Sequence, residues 1–404
     1  MESRNLPSTD ELNEIFGAAC ASQQQGALTS AQAGFRKLLS WFPEAPVLHY
    51  NLGLVYYESG DFEKSSECFA KGASLAPDDT DIIFNLALCR KQCGDMQGAI
   101  EGYRRLLQLT PDSVDALYNL GGCYKDQKEY AKAIGVYLRV LELAAEHLGA
   151  TKNLAYVYHL TGDGANAVAH YQKALQLAPG DTSITHMLAA LTGQTPESTP
   201  HSYIAEMFDE YSCSFDRSLV DELEYLVPAK IRAVIDREKL WQQHFRAGLD
   251  LGCGTGLSGE SIKDLLEILD GVDLSPKMLE IANEKNIYTN LYPGAIDDFM
   301  NNRDNRYDFI QAADVFAYLG ELEGILRLAR SCVADGGLFC FSTERCQQSG
   351  YILGSTGRFA HGEKYVEQAA RKAGWRLLVK ECISLRKEKD EWVEGQIWFW
   401  QPLI

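Results

Sequence analysis

A period of 34 residues runs through the first half of the chain, and it constrains the fold more than any other feature of the sequence. The prolines that end its helical segments are Pro43, Pro77, Pro111 and Pro179. The glycines of its turns are Gly26, Gly60, Gly94 and Gly162, and Lys128 takes the one remaining slot. Helical periodicity between these marks predicts units of helix, turn, helix and stop. Such a unit buries its apolar face only by stacking on the next one.

Two more positions keep this period and predict how the helices pack. A small residue follows five positions after each turn residue, at Ala31, Ser65, Ala99, Ala133 and Ala167. An aromatic residue comes four positions later, at Phe35, Phe69, Tyr103, Tyr137 and Tyr171. The small residue allows the two helices of a unit to approach, and the ring fills the seam to the next unit.

A short motif identifies the repeat. Tyr50-Asn51-Leu52-Gly53-x-x-Tyr56 and its echo Tyr118-Asn119-Leu120-Gly121-x-x-Tyr124 resemble the tetratricopeptide repeat family over residues 12–181. The resemblance implies an all-α superhelix of about five repeats, because the family's repeat length is about 34 residues. We expect a further helix near 182–192 to cap it, which gives a repeat domain over residues 1–192.

One polar position recurs on the first helix of four successive repeats, at Asn51, Asn85, Asn119 and Asn153. In such a superhelix that helix lines the inner surface, and a carboxamide can pair with both the C=O and the N–H of an extended peptide. The row resembles the asparagine ladder of the peptide-binding repeats of O-linked N-acetylglucosamine transferases, which implies a protein or peptide partner. The alternative is that each asparagine bonds a neighbouring helix.

The repeats end at a linker. Residues 193–200, GQTPESTP, are rich in Gly, Pro, Ser and Thr and lack periodicity, so we place the domain boundary there. A second domain is then expected over residues 201–404. It opens with a helical segment that carries the aromatic residues Tyr203, Phe208, Tyr211 and Phe215.

The strongest chemical signal lies in this second domain. An apolar strand ends in Asp250-Leu251-Gly252-Cys253-Gly254-Thr255-Gly256, and a helix is predicted to follow near 258–269. Glycines at this spacing allow a tight turn and the close approach of a ligand to the backbone. Asp273 ends the next strand, 17 residues after Gly256, close to the interval expected of a carboxylate that binds ribose hydroxyls.

Two nucleotide-binding folds use such a turn. A nicotinamide dinucleotide fold has the fingerprint G-x-G-x-x-G, whereas the glycines here stand two apart and Gly259 would have to serve as the third. Asp250-x-Gly-x-Gly-x-Gly instead resembles motif I of class I S-adenosylmethionine-dependent methyltransferases. Val272-Asp273-Leu274-Ser275-Pro276-Lys277-Met278 and the strands at 307–310 and 336–341 continue that resemblance.

Strands and helices alternate in this domain, as a doubly wound α/β sheet requires. Seven strands are predicted, near 246–251, 268–273, 290–293, 308–313, 337–342, 376–384 and 393–401. The last two, separated by Lys387–Asp390, are expected to form a hairpin at one edge. The resembled family has a Rossmann-like sheet of seven strands whose last strand is antiparallel, and its sites lie at the carboxyl ends of the strands.

The resemblance implies a site for S-adenosyl-L-methionine. Its residues are Asp250, Gly252, Cys253, Gly254, Gly256, Asp273, Leu274, Met278, Ala295, Ile296, Ala313 and Asp314. Asp250 would orient the methionine ammonium, Asp273 would hold the ribose hydroxyls, and Leu274 and Met278 would flank adenine. Many relatives have an acidic residue in place of Ala295.

Methyl transfer needs an in-line nucleophile, exclusion of water and sometimes a base. We predict a lid made of Tyr203, Tyr211 and Phe215, with Phe208 as ordinary core. Three residues are candidates for catalysis: His361 as the base, Arg358 as an anchor for an anionic acceptor, and Tyr318 in the loop after the fourth strand. His361 and Arg358 could equally be loop residues that bond their own backbone.

Composition narrows the partners. The net charge is −18, so a polyanion would bind against the field of the whole protein and nucleic acid is not expected. The loop after the fourth strand also lacks the Asn/Asp-Pro-Pro-Tyr and Pro-Cys signatures of nucleic-acid methylation. No apolar run is long enough to span a membrane, no secretory signal is visible, and the 11 cysteines form no metal-ligand pattern. These features favour a cytoplasmic protein with no metal.

The sequence therefore predicts a methyltransferase that acts on a protein, peptide or protein-tethered group captured by its repeats. One alternative is an enzyme that methylates the oxygen or nitrogen of a small molecule and uses its repeats for assembly. The other is a non-catalytic adaptor that binds the cofactor. The intact set of Asp250, Asp273 and the three turn glycines argues against the adaptor.

Overall fold

The computed structural model describes residues 7–212, 215–240, 245–302, 306–388 and 391–403. The chain forms two compact units, Met1–Pro179 and Gly180–Ile404. The first is all-α and the second contains a mixed sheet with helices, as the sequence predicts.

The first unit consists of helix pairs at the predicted period. Its helices are α1 Thr9–Gln24, α2 Leu28–Leu39, α3 Pro46–Glu58, α4 Phe62–Leu75, α5 Thr80–Gln92, α6 Met96–Leu109, α7 Val114–Asp126, α8 Tyr130–Leu143, α9 Leu148–Leu160 and α10 Gly164–Leu177. Each pair is joined by a short turn, and four of the five pairs end at or near a predicted proline, the exception being α7 and α8. The five pairs match the five repeats that the period predicts.

The periodic residues have the roles that the pattern predicts. The turn glycines Gly26, Gly60, Gly94 and Gly162 all adopt left-handed backbone, and Lys128 adopts it too, with φ of 61°. All five small residues are fully buried, and so are the aromatic residues of the first four pairs. A Cβ atom at Gly121 would lie 2.6 Å from the ring of Tyr137, so the helices approach as closely as glycine permits.

The helices of the second unit flank the sheet and precede it. They are α11 Thr182–Thr192, α12 His201–Tyr211, α13 Phe215–Arg217, α14 Val227–Glu238, α15 Leu257–Glu260, α16 Pro276–Glu284, α17 Ile296–Asn301, α18 Glu323–Cys332 and α19 Glu363–Lys372. The helix expected near 258–269 is shorter than predicted: α15 has four residues, and β2 already begins at Leu266. Gly256 starts α15 with left-handed backbone.

The strands of the second unit form one sheet. They are β1 Phe245–Leu251, β2 Leu266–Asp273, β3 Asn290–Pro293, β4 Tyr307–Ala312, β5 Val333–Cys346, β6 Tyr351–Leu353, β7 Phe359–Gly362, β8 Trp375–Glu388 and β9 Glu391–Pro402. Strands β3, β2, β1, β4 and β5 are parallel neighbours in that order. Strand β9 runs antiparallel between β5 and β8. This is the predicted doubly wound arrangement with its antiparallel final strand.

The structure adds strands β6 and β7, which the sequence does not predict. They form an antiparallel pair, and β7 also pairs with the end of β5 at Glu344–Cys346. Part of the segment that holds Arg358 and His361, the two candidate loop residues, therefore extends the sheet. The predicted turn at Lys387–Asp390 lies partly outside the described residues.

Apolar side chains cover both faces of this sheet. Phe339 and Phe341 of β5 pack on one face with Trp375, whereas Leu338 and Cys340 pack on the other with Ile231 of α14. Alternate residues of a strand point to opposite faces, so β5 is buried on both sides, as is usual for parallel strands.

The position of α11 differs from the prediction. We expected this helix to cap the repeats, but it belongs to the second unit, which begins at Gly180. Its Ala189 and Ala190 pack against Leu353 and Phe359 of the β6–β7 pair. The side chain of His186 bonds the carbonyl of Gly357 at 2.9 Å. The two units therefore divide before α11, not at residues 193–200.

Candidate active site

A cavity of about 310 Å³ lies at the carboxyl ends of β1, β2 and β4. Such an edge is where open α/β sheets bind ligands, and the volume is in the range of small-molecule sites. One wall consists of the segments that follow those strands, within 252–258, 273–278 and 313–319. The opposite wall comes from residues between His201 and Tyr225, and Arg358, Arg386 and Glu388 complete the lining.

The glycine turn after β1 brings backbone to the cavity. Gly252 and Gly254 have φ values of 65° and 53°, which L side chains rarely adopt. A Cβ atom at Gly252 would lie 2.6 Å from Val315, so no side chain fits there. Among the described residues, the one atom near a Cβ at Gly254 belongs to Phe215, at 3.8 Å, and Gly254 itself lines the cavity.

The carboxylate of Asp273 is fixed beside this turn. It accepts hydrogen bonds from the backbone N–H groups of Gly254 and Ser275, both at 2.8 Å. Burial raises the pKa of Asp273, while the two N–H groups act in the opposite direction. Ser275 in turn caps α16 by accepting a bond from the N–H of Met278. The end of β2 and the start of α16 thus hold one acidic group at the cavity wall.

Asp250 lies below the turn and does not line the cavity. Its side chain is fully buried and accepts a hydrogen bond from the Tyr288 hydroxyl at 2.7 Å. Burial raises its pKa to about 7, although the bond from Tyr288 favours the charged form. The predicted contact of Asp250 with a methionine ammonium therefore does not follow from the cavity lining, although among the described residues its Oδ1 is buried and has no hydrogen-bonding partner.

The aromatic segment forms a wall of the cavity, but not with the residues predicted. Tyr211 and Phe215 line the cavity as expected. Phe208, predicted to be core, also lines it, and its ring meets those of Phe215 and Tyr318 edge to face at 5.8 and 5.6 Å. Tyr203 lies outside the lining, because its ring packs on His186 of α11. The prediction was wrong for these two residues since helical spacing does not tell which face meets the site.

Two aspartates attach this aromatic segment to the wall formed by the segments that follow the strands. Asp209 accepts hydrogen bonds from the Ser275 hydroxyl and, at 3.5 Å, from the N–H of Lys277. Asp216 accepts a bond from the Thr255 hydroxyl and pairs with Lys285 at 2.8 Å. The segment is thus bonded to the glycine turn and to the loop after β2.

Arg358 reaches the cavity as predicted, but its charge is already matched. It bonds Asp314 at 2.9 Å, Glu344 at 2.6 Å and the Tyr318 hydroxyl at 2.8 Å. Its guanidinium also lies over the ring of Tyr318, 5.0 Å from the centroid. An anchor for an anionic acceptor needs donors that point at the ligand, so the predicted role of Arg358 is not supported by these contacts.

A second arginine, which the sequence analysis did not identify, joins the same cluster. Arg386 of β8 is 2% exposed and bonds Glu344 at 2.7 Å, Asp314 at 3.3 Å and Glu388 at 3.0 Å. Burial alone would raise the pKa of Glu344, but Arg358 and Arg386 hold it below its usual value. Arg386 and Glu388 stand two apart on one strand and so share a face. This spacing could have indicated that both side chains face the site, but the sequence analysis places Glu388 in the turn between the last two strands.

His361 is not in the cavity. Its ring is fully buried, stacks on Tyr365 and bonds the carbonyl of Leu319 through Nε2 at 2.8 Å. Burial lowers its pKa to about 4. A general base must reach the proton that it removes, so the prediction of His361 as base is wrong. His361 lies on β7, which pairs with β5, and at this position of the strand the side chain points into the core.

The structure thus brings most predicted site residues together. Those that line the cavity are Tyr211, Gly252, Cys253, Gly254, Asp273, Leu274, Met278, Ile296, Ala313, Asp314, Tyr318 and Arg358. Those that do not are Tyr203, Asp250, Gly256, Ala295 and His361. Ala295 is instead the N-cap residue of α17. Tyr225, Arg386 and Glu388 line the cavity and were not predicted.

Within the described residues, no three His, Cys, Asp or Glu side chains gather so as to hold a metal ion. No helix of the described chain is long and apolar enough to cross a membrane.

Family models match both halves of the chain. Models described as TPR repeat and tetratricopeptide repeat match residues 46–79, 89–127, 116–148 and 137–182. A model described as a methyltransferase domain matches residues 249–339, from β1 into β5. The chain joins tetratricopeptide repeats to a methyltransferase domain. The glycine turn, Asp273 and the loop after β4 all lie within the matched region of that domain.

Curated relatives match about a quarter of the chain. The ubiquinone biosynthesis O-methyltransferase of Hydrogenovibrio crunogenus is 27% identical over 26% of this chain and 45% of its own length. The enzyme of the same name from Proteus mirabilis is 28% identical over 24% and 40%. The chain therefore spans less than half of the length of these two relatives. The crystal structure of MamA protein aligns with 43% of this chain and 94% of its own at 22% identity and a TM-score of 0.41.

The asparagines of the tetratricopeptide repeats lie in one register, each partly exposed. Asn51, Asn85 and Asn119 each donate from Nδ2 to the carbonyl four residues earlier, at 2.7–2.8 Å. Asn153 donates at 3.3 Å to the hydroxyl of Tyr118 on the first helix of the preceding repeat. Three of the four thus bond their own helix, and one bonds a neighbouring helix.

Proposed function

We propose that the second unit is an S-adenosylmethionine-dependent methyltransferase. The observation that carries this proposal is the pairing of the glycine turn with Asp273, whose carboxylate accepts the N–H of Gly254 at the wall of the cavity. The residues there suit such a ligand: an acidic group for vicinal hydroxyls, a bare backbone at Gly252 and Gly254, and the apolar side chains of Met278 and Ile296 for a base. The sequence family supplies the general expectation of this cofactor.

When bound, S-adenosylmethionine supplies a methyl group activated by a sulfonium charge. The chain would position that ligand with the glycine turn and Asp273. Phe208, Tyr211 and Phe215 would exclude water from the reacting end, and their rings would attract a cation by about 0.5–2 kcal/mol. Tyr318 and Asp314, held by Arg358, would border the acceptor.

Calorimetry with S-adenosylmethionine and its demethylated product tests this assignment. Both should bind, whereas NAD should not. Asp273→Ala removes hydrogen bonds to a charged acceptor, each of about 1.5–3 kcal/mol, so the affinity should fall roughly 10- to 150-fold. Asp264→Ala, at an exposed ion pair with Arg232, is the control and should bind as the parent does. Equal affinity of the Asp273 variant and the parent would refute the site.

We propose further that the repeats present a protein, peptide or protein-tethered acceptor to this unit. The support is the common register of the four asparagines on the first helices of successive repeats. Each retains acceptor capacity at Oδ1 for a backbone N–H while Nδ2 bonds the protein, and one such bond contributes about 0.5–1.5 kcal/mol.

The four asparagines can be tested together. A variant with Ala at positions 51, 85, 119 and 153 should lose partners that the parent captures from a lysate, while its affinity for the cofactor stays unchanged. A variant with Ala at the exposed Glu44, Asp78 and Asp112 of the ion pairs that link successive repeats is the control. If the asparagine variant captures the same partners as the parent, the four asparagines do not bind the partner and their common register has only a structural role.

A small-molecule acceptor is the second candidate. It is favoured by the names of the curated relatives, which are O-methyltransferases of ubiquinone biosynthesis, and by the aromatic wall of the cavity. Incubation of a lysate with cofactor labelled on its methyl group distinguishes the two candidates. Label in protein supports the first, and label only in small organic-soluble molecules supports the second.

A further inference from the structure

Two carboxylates lie beside the glycine turn on neighbouring strands, and the described residues supply no cation to either of them. Asp250 of β1 is fully buried, and Asp273 at the end of β2 is 8% exposed. The hydrogen bonds that they accept come from a hydroxyl and from backbone N–H groups. The charge of Asp273 acts on Asp250 and that of Asp209 acts on Asp273, and both are negative. Because buried charges are normally paired, this acidic pair lacks a partner of opposite sign.

The carboxylate of Asp250 has one oxygen in use and one open. Its Oδ2 accepts the Tyr288 hydroxyl at 2.7 Å, whereas its Oδ1 is buried and has no hydrogen-bonding partner among the described residues. A carboxylate oxygen that is removed from water and left without a partner raises the free energy of the charged form. Such an atom is satisfied either by a proton or by the positive charge of a ligand.

The neighbour of Asp250 on β4 is a polar residue in the same state. Gln311 pairs in register with Asp250, so the two side chains share one face of the sheet. Its amide is fully buried, and within the described chain neither Nε2 nor Oε1 has a hydrogen-bonding partner, yet the amide favours the charged form of Asp250. An apolar side chain would fill this part of the core without the cost of an unpaired amide. The amide therefore has a role toward Asp250.

Tyr288 is held in place by glycines. Cβ atoms at Gly256 and Gly271 would lie 3.2 and 3.0 Å from its ring, and one at Gly259 would overlap its hydroxyl. The ring thus fills a slot that only glycine leaves open. Its hydroxyl is fixed against Oδ2 of Asp250, so the donor does not have to be ordered when a ligand binds.

These contacts set the charge of Asp250. Burial raises its pKa to about 7, and Tyr288 and Gln311 act in the opposite direction. The other titratable groups that face it are neutral at this pH, because burial raises the pKa values of Cys253, Tyr225 and Tyr288 well above the ordinary values. Without a ligand, about half of the molecules therefore carry a proton on Asp250 at pH 7.

The proposed cofactor carries the positive charge that the acidic pair lacks, on its sulfonium and ammonium groups. We propose that Tyr288 and Gln311 are positioning residues, which hold Asp250 so that it loses its proton when this cation enters the cavity. Gly252 and Cys253, two and three residues after Asp250, line the cavity, so a bound cation acts on the carboxylate across a short distance.

The proton passes from the carboxyl group of Asp250 to the solvent, and no bond of the ligand is made or broken. Affinity for the cation should therefore increase as the pH rises through 7, because the proton no longer has to be displaced. This inference rests on the proposed methyltransferase function and assigns Tyr288 and Gln311 a part in binding its cofactor.

Calorimetry of S-adenosylmethionine binding to the full chain, in two buffers of different ionisation enthalpy, measures the number of protons released. The α-amino group of the ligand also titrates, at about pH 8. The release is therefore compared with that of Asp250→Asn, which removes the titrating carboxyl group and keeps its shape. At pH 7 the parent should release about half a proton more than this variant, and at pH 8 about a tenth of a proton more.

Three variants test the positioning residues. Tyr288→Phe removes a hydrogen bond that favours the charged carboxylate, so the excess release at pH 8 should rise from about a tenth to about half a proton. Gln311→Met should change the release in the same direction by a smaller amount. Tyr307→Phe is the matched control, because its hydroxyl also donates to a buried aspartate of this sheet, Asp270, at 2.9 Å. It should release protons as the parent does.

The outcomes separate this inference from the proposed function. If S-adenosylmethionine does not bind the parent, the proposed function fails. If it binds but the parent and Asp250→Asn release protons equally at pH 7, the ionisation of Asp250 is overturned. Should Asp250→Asn bind too weakly to be measured, Tyr288→Phe and Tyr307→Phe decide: a larger release at pH 8 by the first supports the inference, and equal release overturns it.

Discussion

The two units of this protein use similar residues in opposite ways. In the repeat unit, each role is filled several times: Ala31, Ala99 and Ala133 are fully buried at equivalent positions. Its ion pairs recur too, since Lys71, Arg105 and Arg139 each bond an acidic residue 27 positions earlier. In the second unit each role is filled once. Asp314, Glu344, Arg358 and Arg386 come from four distant parts of the chain and depend on one another.

This difference has a physical consequence. The ion pairs of the repeats are exposed, so water replaces a lost partner and each pair contributes little. The cluster of the second unit is buried, so a lost partner leaves an uncompensated charge in a poorly solvated place. The predictions below test this contrast, from the largest expected effect to the smallest.

Glu344→Ala should destabilise the second unit by about 3–5 kcal/mol, because both Arg358 and Arg386 lose a buried carboxylate. Denaturant unfolding followed by fluorescence measures this, since Trp375, Trp398 and Trp400 are fully buried in that unit. Asp112→Ala, which breaks the exposed pair with Arg139, should leave the unfolding transition unchanged. Equal stability of the two variants would remove the contrast.

His361→Gln should cost about 1–3 kcal/mol of stability, because it removes a buried hydrogen bond to Leu319 and the stacking on Tyr365. Methyl transfer should stay within a few-fold of the parent. If the variant instead loses methyl transfer about a hundredfold while its affinity for the cofactor is intact, His361 acts as the base after all.

The same residue predicts a pH dependence. The ring has a pKa of about 4 in the folded chain, against about 6.5 when unfolded. The folded state therefore resists protonation, and the stability that the neutral ring contributes above pH 6.5 is lost as the pH falls toward 4. The free energy of unfolding should decrease over this range more for the parent than for His361→Gln, as denaturant titrations at pH 7, 5.5 and 4.5 would show.

Asp209→Asn should weaken binding of S-adenosylhomocysteine up to about tenfold, because the bond between α12 and Ser275 loses its charge. Calorimetry measures the change. Glu206→Gln, on an exposed part of the same helix, is the control. An unchanged affinity for the Asp209 variant would mean that the aromatic wall is held by packing alone.

The smallest effect should come from one turn of the repeats. Lys128 occupies left-handed backbone where the other turns have glycine, so Lys128→Gly should stabilise the repeats by about 1 kcal/mol. The reverse exchange, Gly94→Lys, should destabilise them by a similar amount, as thermal unfolding would show. If Lys128→Gly lowers the stability of the repeats, or Gly94→Lys raises it, the backbone of Lys128 is not strained.

The sequence predicts what depends on neighbours along the chain. The period of 34 residues predicts all five helix pairs, down to the backbone of Lys128, because each pair obeys the same local rules. The glycine turn and Asp273 are close in sequence, and their contact follows from two adjacent parallel strands. Both predictions needed only local geometry and strand order.

What the sequence misses depends on how distant segments pack. His361 and Arg358 are three residues apart, yet the side chain of His361 enters the core and that of Arg358 enters the cavity. Alternate residues of a strand face opposite sides of the sheet. The sequence analysis missed this difference because it did not predict strands β6 and β7. Arg386 meets Glu344 only through the pairing of β8, β9 and β5. No pattern within one segment contains that information.

The glycines of the turn after β1 are not interchangeable, and this matters for engineering. Position 252 has no room for a side chain, whereas position 254 opens toward the cavity. A methyl group in Gly254→Ala would therefore occupy space meant for a ligand while the backbone N–H still reaches Asp273. The left-handed backbone at position 254 adds about 1 kcal/mol of strain to that variant, so the chain should fold slightly less stably and lose affinity for the proposed cofactor, which makes it a counterpart for learning what the repeats do by themselves.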